Sequence, residues 1–401
     1  MRILYLAMKY DYGRPEQGFS FEHCNFYDSL VHMGHDILYF DFMTMLKARG
    51  RESMNRRIAE VAKTEQPDLM FSVLFKDEID PLTVRALSHE RGMTTVNWFC
   101  DDHWRFDNFT CRWAPCFTWS VTTAASALPK YESLKYRNVI KSQWACNHFL
   151  YKKREDDLRY DVTFVGQPHG NRRQVIKTLQ DAGINVLTWG NGWESGRISQ
   201  EHMIDVFGRS RINLNLANSS VPVGENPERC HSSIMTPGYA FRRRVAKVLD
   251  RVPFGGQVKA WGKTLRRPTT TSEADLSETA VLDRPGGIYS EQIKGRNFEI
   301  PGCGGFLLTG GADNLEEYYQ DGREVVIFHD DDELIDKIRY YLAHDEERSA
   351  IAQAGYERTL REHTYVHRFR EIFTTMGFSG AASWPSESGM GTRSGMTEEV
   401  T

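Results

Sequence analysis

The chain has 401 residues, of which 26% are charged and 40% hydrophobic, and its formal net charge is −4. That length can bury two cores, the composition is that of a soluble globular protein, and the near-neutral balance excludes a partner recognised by global charge. The apolar opening before Lys9 is too short for a signal peptide, no run approaches the ~20 apolar residues of a membrane span, and seven cysteines without a CxxC pair argue against structural zinc and a disulfide framework, so a reduced cytoplasmic protein is expected.

Residues 1–155 read as strand–helix units forming an N-terminal domain. Strands are expected at 3–7, 37–40, 69–75, 94–99 and 117–121, where apolar, β-branched and aromatic residues run together. Helices are expected between 21 and 34, after the Asp80-Pro81 start, and around 124–136. This alternation gives an α/β fold with a doubly wound, mainly parallel sheet, whose ligands sit at the carboxyl ends of the strands. One such end is the loop 9–22 with Gly18, read either as a ligand contact or as a plain connection. Another carries Asp101, Asp102, His103 and Trp104, which suit hydroxyl binding and proton transfer near neutral pH, or alternatively a helix cap. Lys76, Asp77 and Glu78 read as a solvated turn. No G-x-G-x-x-G follows the first strand, which disfavours a nicotinamide enzyme.

A second series fills 156–376, with strands at 161–165, 185–189 and 212–216, and helices at 172–182 and from Ser199. Gly166, Arg172 and Arg173 follow its first strand, as phosphate contacts or, for the arginines, as an exposed first turn. Trp193, after the second strand, either stacks a base or fills a half-buried core position. From 218 to 290 the rhythm stops, which marks an insertion. Between 229 and 267 ten basic residues accompany one acid, Asp250, and 241–252 has the spacing of a basic amphipathic helix. The stretch 239–267 suits an anionic membrane surface or a phosphorylated acceptor, or packs its apolar face on the parent domain; 268–287 reads as a lid. Further on come a helix at 314–319, a strand at 325–328, helices at 334–343 and 346–362, and a last helix through Val366, Phe369, Ile372, Phe373 and Met376. Asp330 to Asp332 contain D-x-D, but Asp330 and Glu333 fit a capping arrangement and no metal is expected. Residues 377–401, rich in Ser, Gly, Thr and Glu, read as a disordered tail.

The richest stretch is 291–309, EQIKGRNFEIPGCGGFLLT. Two carboxylates, Glu291 and Glu299, flank Lys294 and Arg296, and Gly304 and Gly305 lead into a buried strand. A short helix over 296–303, with Pro301 in its first turn, would set the cations beside a helix start suited to phosphate. Glu299 would then accept hydrogen bonds from sugar hydroxyls. The plain alternative is an αβ turn with an exposed ion pair.

This stretch resembles the Glu-x7-Glu element of retaining glycosyltransferases of family 4, which have the GT-B fold. FEIPGCGGFLLT and residues 324–369 are similar to the CgeB-like, spore-maturation branch; in the N-terminal half the similarity is looser, resting on strand order and NWFCDDHW. The resemblance implies two Rossmann-like domains around a cleft, the second binding a nucleotide-sugar donor and the last helix crossing back to the first. It implies a nucleotide-sugar donor and retention of configuration; a UDP- or GDP-sugar is the expected donor, and the acceptor is left open among a glycan, a lipid-linked group and a protein. It assigns Glu299 to the donor ribose, Glu291 to the transferred sugar, and Lys294 and Arg296 to the departing diphosphate, where cationic stabilisation matters most. The family's arginine–lysine pair ahead of this element has no clear counterpart, and Arg172, Arg173 or the insertion's basic residues stand in for it. A cytoplasmic enzyme, peripheral at the inner membrane face, fits this reading. Two alternatives are a retired GT-B module that binds nucleotide or glycan, and a DNA-modifying glycosyltransferase, although nucleic acid is the least favoured partner.

Overall fold

The computed structural model describes residues 1–154, 157–222, 289–378 and 398–399. The basic stretch 229–267, the lid at 268–287 and nearly all of the tail lie outside them. The first sheet contains β1 (Arg2–Ala7), β2 (Asp36–Asp41), β3 (Leu69–Ser72), β4 (Thr95–Phe99), β5 (Trp119–Thr122) and β6 (Val139–Lys141), all parallel, in the order β2-β1-β3-β4-β5-β6. Its strands are almost continuously buried because helices cover both faces, as parallel sheets require.

One face packs on α2 (Phe42–Glu65), where Leu4 and Leu6 meet the layer of Met54, Ile58 and Val61. The other packs on α1, which starts π-wound at Glu22–Tyr27 and continues as Asp28–His32, and on the last helix of the chain. The sequence carries no helix signal between the second strand and the third, where α2 lies. The reason is local: Gly50 at φ 74 breaks the helix into two runs, so its apolar positions never line up in one stripe. The turn at 76–78 is solvated at Lys76 and Asp77 but not at Glu78. Glu78 is 6% exposed, its carboxylate accepts from the Lys76 amide over 2.7 Å, and Asp77 accepts from the Trp113 indole over 3.1 Å.

The second sheet contains β7 (Tyr160–Val165), β8 (Val186–Trp189), β9 (Ser210–Asn215), β12 (Leu307–Gly310) and β13 (Val326–Phe328), parallel in the order β13-β12-β9-β7-β8. Between β9 and β12 the chain leaves as β10 (Asn218–Pro222) and returns as β11 (Tyr289–Glu291), an antiparallel pair that closes the neck of the insertion. A two-residue β14 (Glu398–Glu399) adds to β2 at the edge of the first sheet. The helices of this half are α3 (Arg172–Asp181), α4 (Gln200–Arg209), α5 (Arg296–Gly302), α6 (Asp331–Ala343) and α7 (Asp345–Glu362). Asp330 caps α6 by accepting from the Glu333 amide over 2.8 Å, and Glu333 accepts in return from the His329 amide over 2.7 Å. In α8 (Tyr365–Thr375), Tyr365 and Phe369 pack on Phe26, with Phe369 also on Phe71 and Trp98.

Candidate functional site

The site grows from the carboxyl ends of β9 and β12. There Asn215, Asn297 and Thr309 form a buried triad: the Asn215 amide donates to Asn297 Oδ1 (2.9 Å) and Thr309 Oγ1 (3.1 Å), and the Asn297 amide donates to Thr309 Oγ1 (3.2 Å). Asn297 Oδ1 also accepts from the Lys294 amide over 2.9 Å, so the triad fixes the turn that carries Lys294 and starts α5. The helix has seven residues, with Pro301 in its second turn rather than its first; the missing amide keeps it short.

Glu299 projects from α5 into the interior and is 0% exposed. Its Oε1 accepts from the Tyr151 hydroxyl over 2.8 Å, and its Oε2 pairs with Arg296 at 2.5 Å. The Gln200 amide donates to the same Tyr151 oxygen over 2.7 Å, which ties α4 and the segment between the sheets to one carboxylate. Burial opposes the charge on Arg296, but Glu299 and Tyr151 outweigh it and hold the guanidinium pKa above its ordinary value.

Beside α5 lie the ends of β7 and β8. Gly190, at φ 140, approaches Gly166 so closely that a Cβ would stand 2.3 Å from the Gly166 carbonyl oxygen. That oxygen accepts from the Trp193 indole over 2.7 Å. Trp193 therefore braces the loop, with the Arg173 guanidinium over its ring at 5.2 Å, and lines neither cavity described below; it is not available to stack a base. Arg173 donates to the Gly192 carbonyl, and serves the loop in the same way. Arg172 is only 7% exposed, so an exposed first turn does not describe it. It donates to the carbonyls of Gln167 (2.9 Å) and Leu216 (2.7 Å), and burial with the nearby Arg296 charge lowers its pKa to about 10.

The first sheet supplies the facing wall. Ser20 caps α1 by accepting from the His23 amide over 3.0 Å, and Asp11 pairs with Arg197 of the second half. Two of the cavities between the walls are lined by these residues. The larger, about 410 Å³, has Asp11, Gly18, Ser20 and Phe21 on one side and Gly166, Gly190, Arg197, Arg296 and Glu299 on the other. The smaller, about 350 Å³, is bounded by Phe21, Glu22, Asp101 and Trp144, and opposite them by Arg172, Gln292, Lys294 and Arg296. Lys294 Nζ has no hydrogen-bond or ion-pair partner among the described residues. Burial and the Arg172 charge bring its pKa down to about 7, against the pull of Asp101.

Several residues singled out from the sequence lie elsewhere. Asp102 is 1% exposed and turned into the first core, accepting from Thr110 Oγ1 (2.5 Å) and the Tyr131 hydroxyl (2.8 Å). Burial raises its pKa to about 6, yet it lines neither cavity. His103 is held neutral down to about 4 by burial and does not reach a cavity either. The two follow β4 as the first turn of a helix, which swings their side chains away from the strand end. Gly304 and Gly305 precede β12, at the end of the sheet opposite the cavities. They permit close packing, because a Cβ on them would meet Lys153 at 2.7 Å and the Phe207 carbonyl oxygen at 2.5 Å. The glycine at the ligand end of β12 is Gly311, which a strand followed by Gly-Gly could have signalled. Glu291 is exposed beside Gly311 and His329 and lines neither cavity; partial burial raises its pKa while His329 opposes. Of the Asp101–Trp104 group, Asp101 lines the smaller cavity, while Glu22, Gln292, Tyr151 and Arg197 line the cavities and carry no sequence signature of their own. Among the described residues no cluster of His, Cys, Asp and Glu has the grouping of a metal site, and no helix is long and apolar enough to cross a membrane.

Residues 274–374 match a family model described as glycosyl transferase-like. No curated protein sequence matches the chain. Among solved structures, the chain is similar to Anabaena Alr3699/HepE in complex with UDP-glucose, with 10% identity and a TM-score of 0.54 over 94% of this chain and 99% of that one. It is similar to a sucrose-phosphate synthase from Thermosynechococcus elongatus, with 9% identity and a TM-score of 0.53 over 94% and 97%. A glycosyltransferase from Rickettsia africae aligns with 7% identity and a TM-score of 0.52 over 94% and 99%. The chain thus has the two-sheet α/β architecture of GT-B glycosyltransferases and carries a glycosyl transferase-like segment through its candidate site.

Proposed function

We propose that the protein is a retaining glycosyltransferase that takes its sugar from a UDP-sugar and passes it to a glycan or lipid-linked hydroxyl. The observation that carries this reading is the pairing of Glu299 with Arg296 and Tyr151 in the wall of a cleft that also holds Lys294, whose Nζ has no partner among the described residues. Each Glu299 oxygen accepts one hydrogen bond from the protein and retains a second acceptor site for a ribose hydroxyl. The nucleoside occupies the larger cavity, between Gly166 and Gly190 on one side and the Gly18 loop on the other. The close approach of these glycines keeps that wall flat enough for a base. The diphosphate lies against Lys294, with Arg172 and Arg296 behind it, and these cations stabilise the charge that develops as the glycosidic bond breaks. The UDP complexes and the UDP-glucose complex of the structurally similar Anabaena protein support the uridine choice. Glu291, beyond the cavities, is the contact for the far edge of the transferred sugar. The division into domains at about residue 155 belongs to the same reading.

The test is a thermal-shift panel of UDP-, GDP-, ADP-, CMP- and dTDP-sugars on the wild type and on Lys294→Ala. A donor at 100 times its Kd stabilises the fold by about 2.7 kcal/mol. A rise with UDP-sugars that is lost in the variant is expected; no rise with any of the five overturns the proposal.

A further inference from the structure

We propose that the donor taken by this site carries a sugar without an acidic group, and that Asp101 and Glu22 exclude uronate donors. This deepens, and rests on, the donor reading above. The two walls of the smaller cavity differ in kind. The second-half wall presents Arg172, Lys294 and Arg296; the first-half wall presents Glu22 and Asp101 with the rings of Phe21 and Trp144, and no cation. The two rings are set edge to face at 5.1 Å, and both pack on Phe26, at 5.9 and 6.2 Å. Phe21 also lies against the turn that carries Lys294, since a Cβ on Gly295 would stand 3.0 Å from its ring. A sugar joined to a diphosphate held by Lys294 therefore has this wall before it.

The charges of this cavity leave no cation for a uronate. Arg296 is matched by Glu299 at 2.5 Å. Arg172 and Lys294 face the donor's phosphates, which carry a negative charge each and so engage both cations. Beyond the cavity, His329 has Glu291 beside it. What remains is anionic. The Asp101 side chain caps no helix, and its charge favours the protonated form of Lys294. Glu22 makes no ion pair among the described residues. Burial holds its carboxyl up at about 7; hydrogen bonds from its own amide and Ser20 oppose this, and the charges of Asp11 and Asp101 add to it, so at pH 8 it is mostly ionised. A sugar carboxylate would join two like charges in a partly buried space, where their repulsion is strong. An uncharged sugar instead donates its hydroxyls to the carboxylates and lays its apolar face on an aromatic ring.

The experiment titrates UDP and two matched pairs, UDP-glucose with UDP-glucuronate and UDP-galactose with UDP-galacturonate, into the wild type and into the double variant Asp101→Asn, Glu22→Gln, by calorimetry at pH 8. Each pair differs only at the sixth carbon, so a preference for one epimer cancels. Each uronate is expected to bind the wild type about tenfold more weakly than its hexose, and the gap closes in the double variant through tighter uronate binding. Asp101→Asn alone narrows it, and serves as the test if the double variant does not fold. A uronate that binds the wild type as tightly as its hexose overturns the proposal. So does a gap that the variants leave intact, which would assign the discrimination to shape rather than charge. Wild-type protein that binds no UDP overturns the donor reading instead.

Discussion

The Tyr151 hydroxyl donates to Glu299 Oε1 over 2.8 Å, across 148 positions of sequence, so the segment leaving the first sheet holds the carboxylate assigned to the donor. Tyr151 is buried, and Tyr151→Phe removes the donor without opening a void. The expected cost is about 1–2 kcal/mol in urea unfolding, with a weaker UDP-sugar affinity in titration calorimetry.

Removing Glu299 has a larger effect, because it strands the Arg296 guanidinium. Glu299→Ala is expected to lose about 3–5 kcal/mol. Adding Arg296→Met to that variant recovers much of the loss, since the uncompensated charge is then gone. Chemical denaturation of the three variants in parallel measures the cycle, and a double variant less stable than Glu299→Ala contradicts the ion-pair account.

Lys294 gives stability a pH dependence of known sign. Its folded pKa, about 7, lies below the unfolded value, so between these values the unfolded chain binds more protons and stability rises with pH. Compared with Lys294→Met, the wild type is expected to gain ground from pH 7 towards pH 10. A bound diphosphate restores the proton, so UDP binding above pH 7 takes one up. Calorimetry in buffers of different ionisation enthalpy reads that uptake, which is absent in Lys294→Met.

Glu22 carries the opposite sign. Its folded pKa, raised by burial to about 7, exceeds the unfolded carboxylate value, so the folded chain binds more protons between the two and stability falls as pH rises through that window. Glu22→Gln is expected to match the wild type near pH 4 and exceed it at pH 8 in thermal melts.

Gly190→Ala places a Cβ 2.3 Å from the Gly166 carbonyl at a φ of 140. A loss of about 1–3 kcal/mol and a weakened nucleotide response are expected. Gly183→Ala, whose new atom meets open space, is the control for left-handed backbone alone. Comparable losses in the two would show that the close approach is unimportant.

The parallel strands were readable from sequence because burial on both faces leaves unbroken apolar runs, as in Ile3 to Ala7. Helix α2 escaped notice because Gly50 resets its phase. The Glu291–Glu299 stretch announced itself by its mixture of charges and glycine, yet which glycines face ligand depends on strand direction: Gly304 and Gly305 enter β12, and Gly311 leaves it. Asp102 drew attention by its place after β4, but the turn of helix that begins there points it inward, towards Thr110 and Tyr131. Glu22 lay in a loop without pattern, and only the tertiary approach of the second half gives it a setting. The Asn215–Asn297–Thr309 triad joins positions 82 and 94 apart, beyond the reach of any local rule.

The chain passes between the sheets twice, near Cys146 and near Thr364, and the two passages run side by side. The Cys146 amide donates to the His363 carbonyl over 2.9 Å, and the Tyr365 amide donates back to the Cys146 carbonyl over 3.1 Å. Two strands stitched in this way resist twisting and sliding far more than they resist bending. They act as the spine of a book. The covers carry Glu22 and Lys294, so a bend along this spine alters the width of the gap between them.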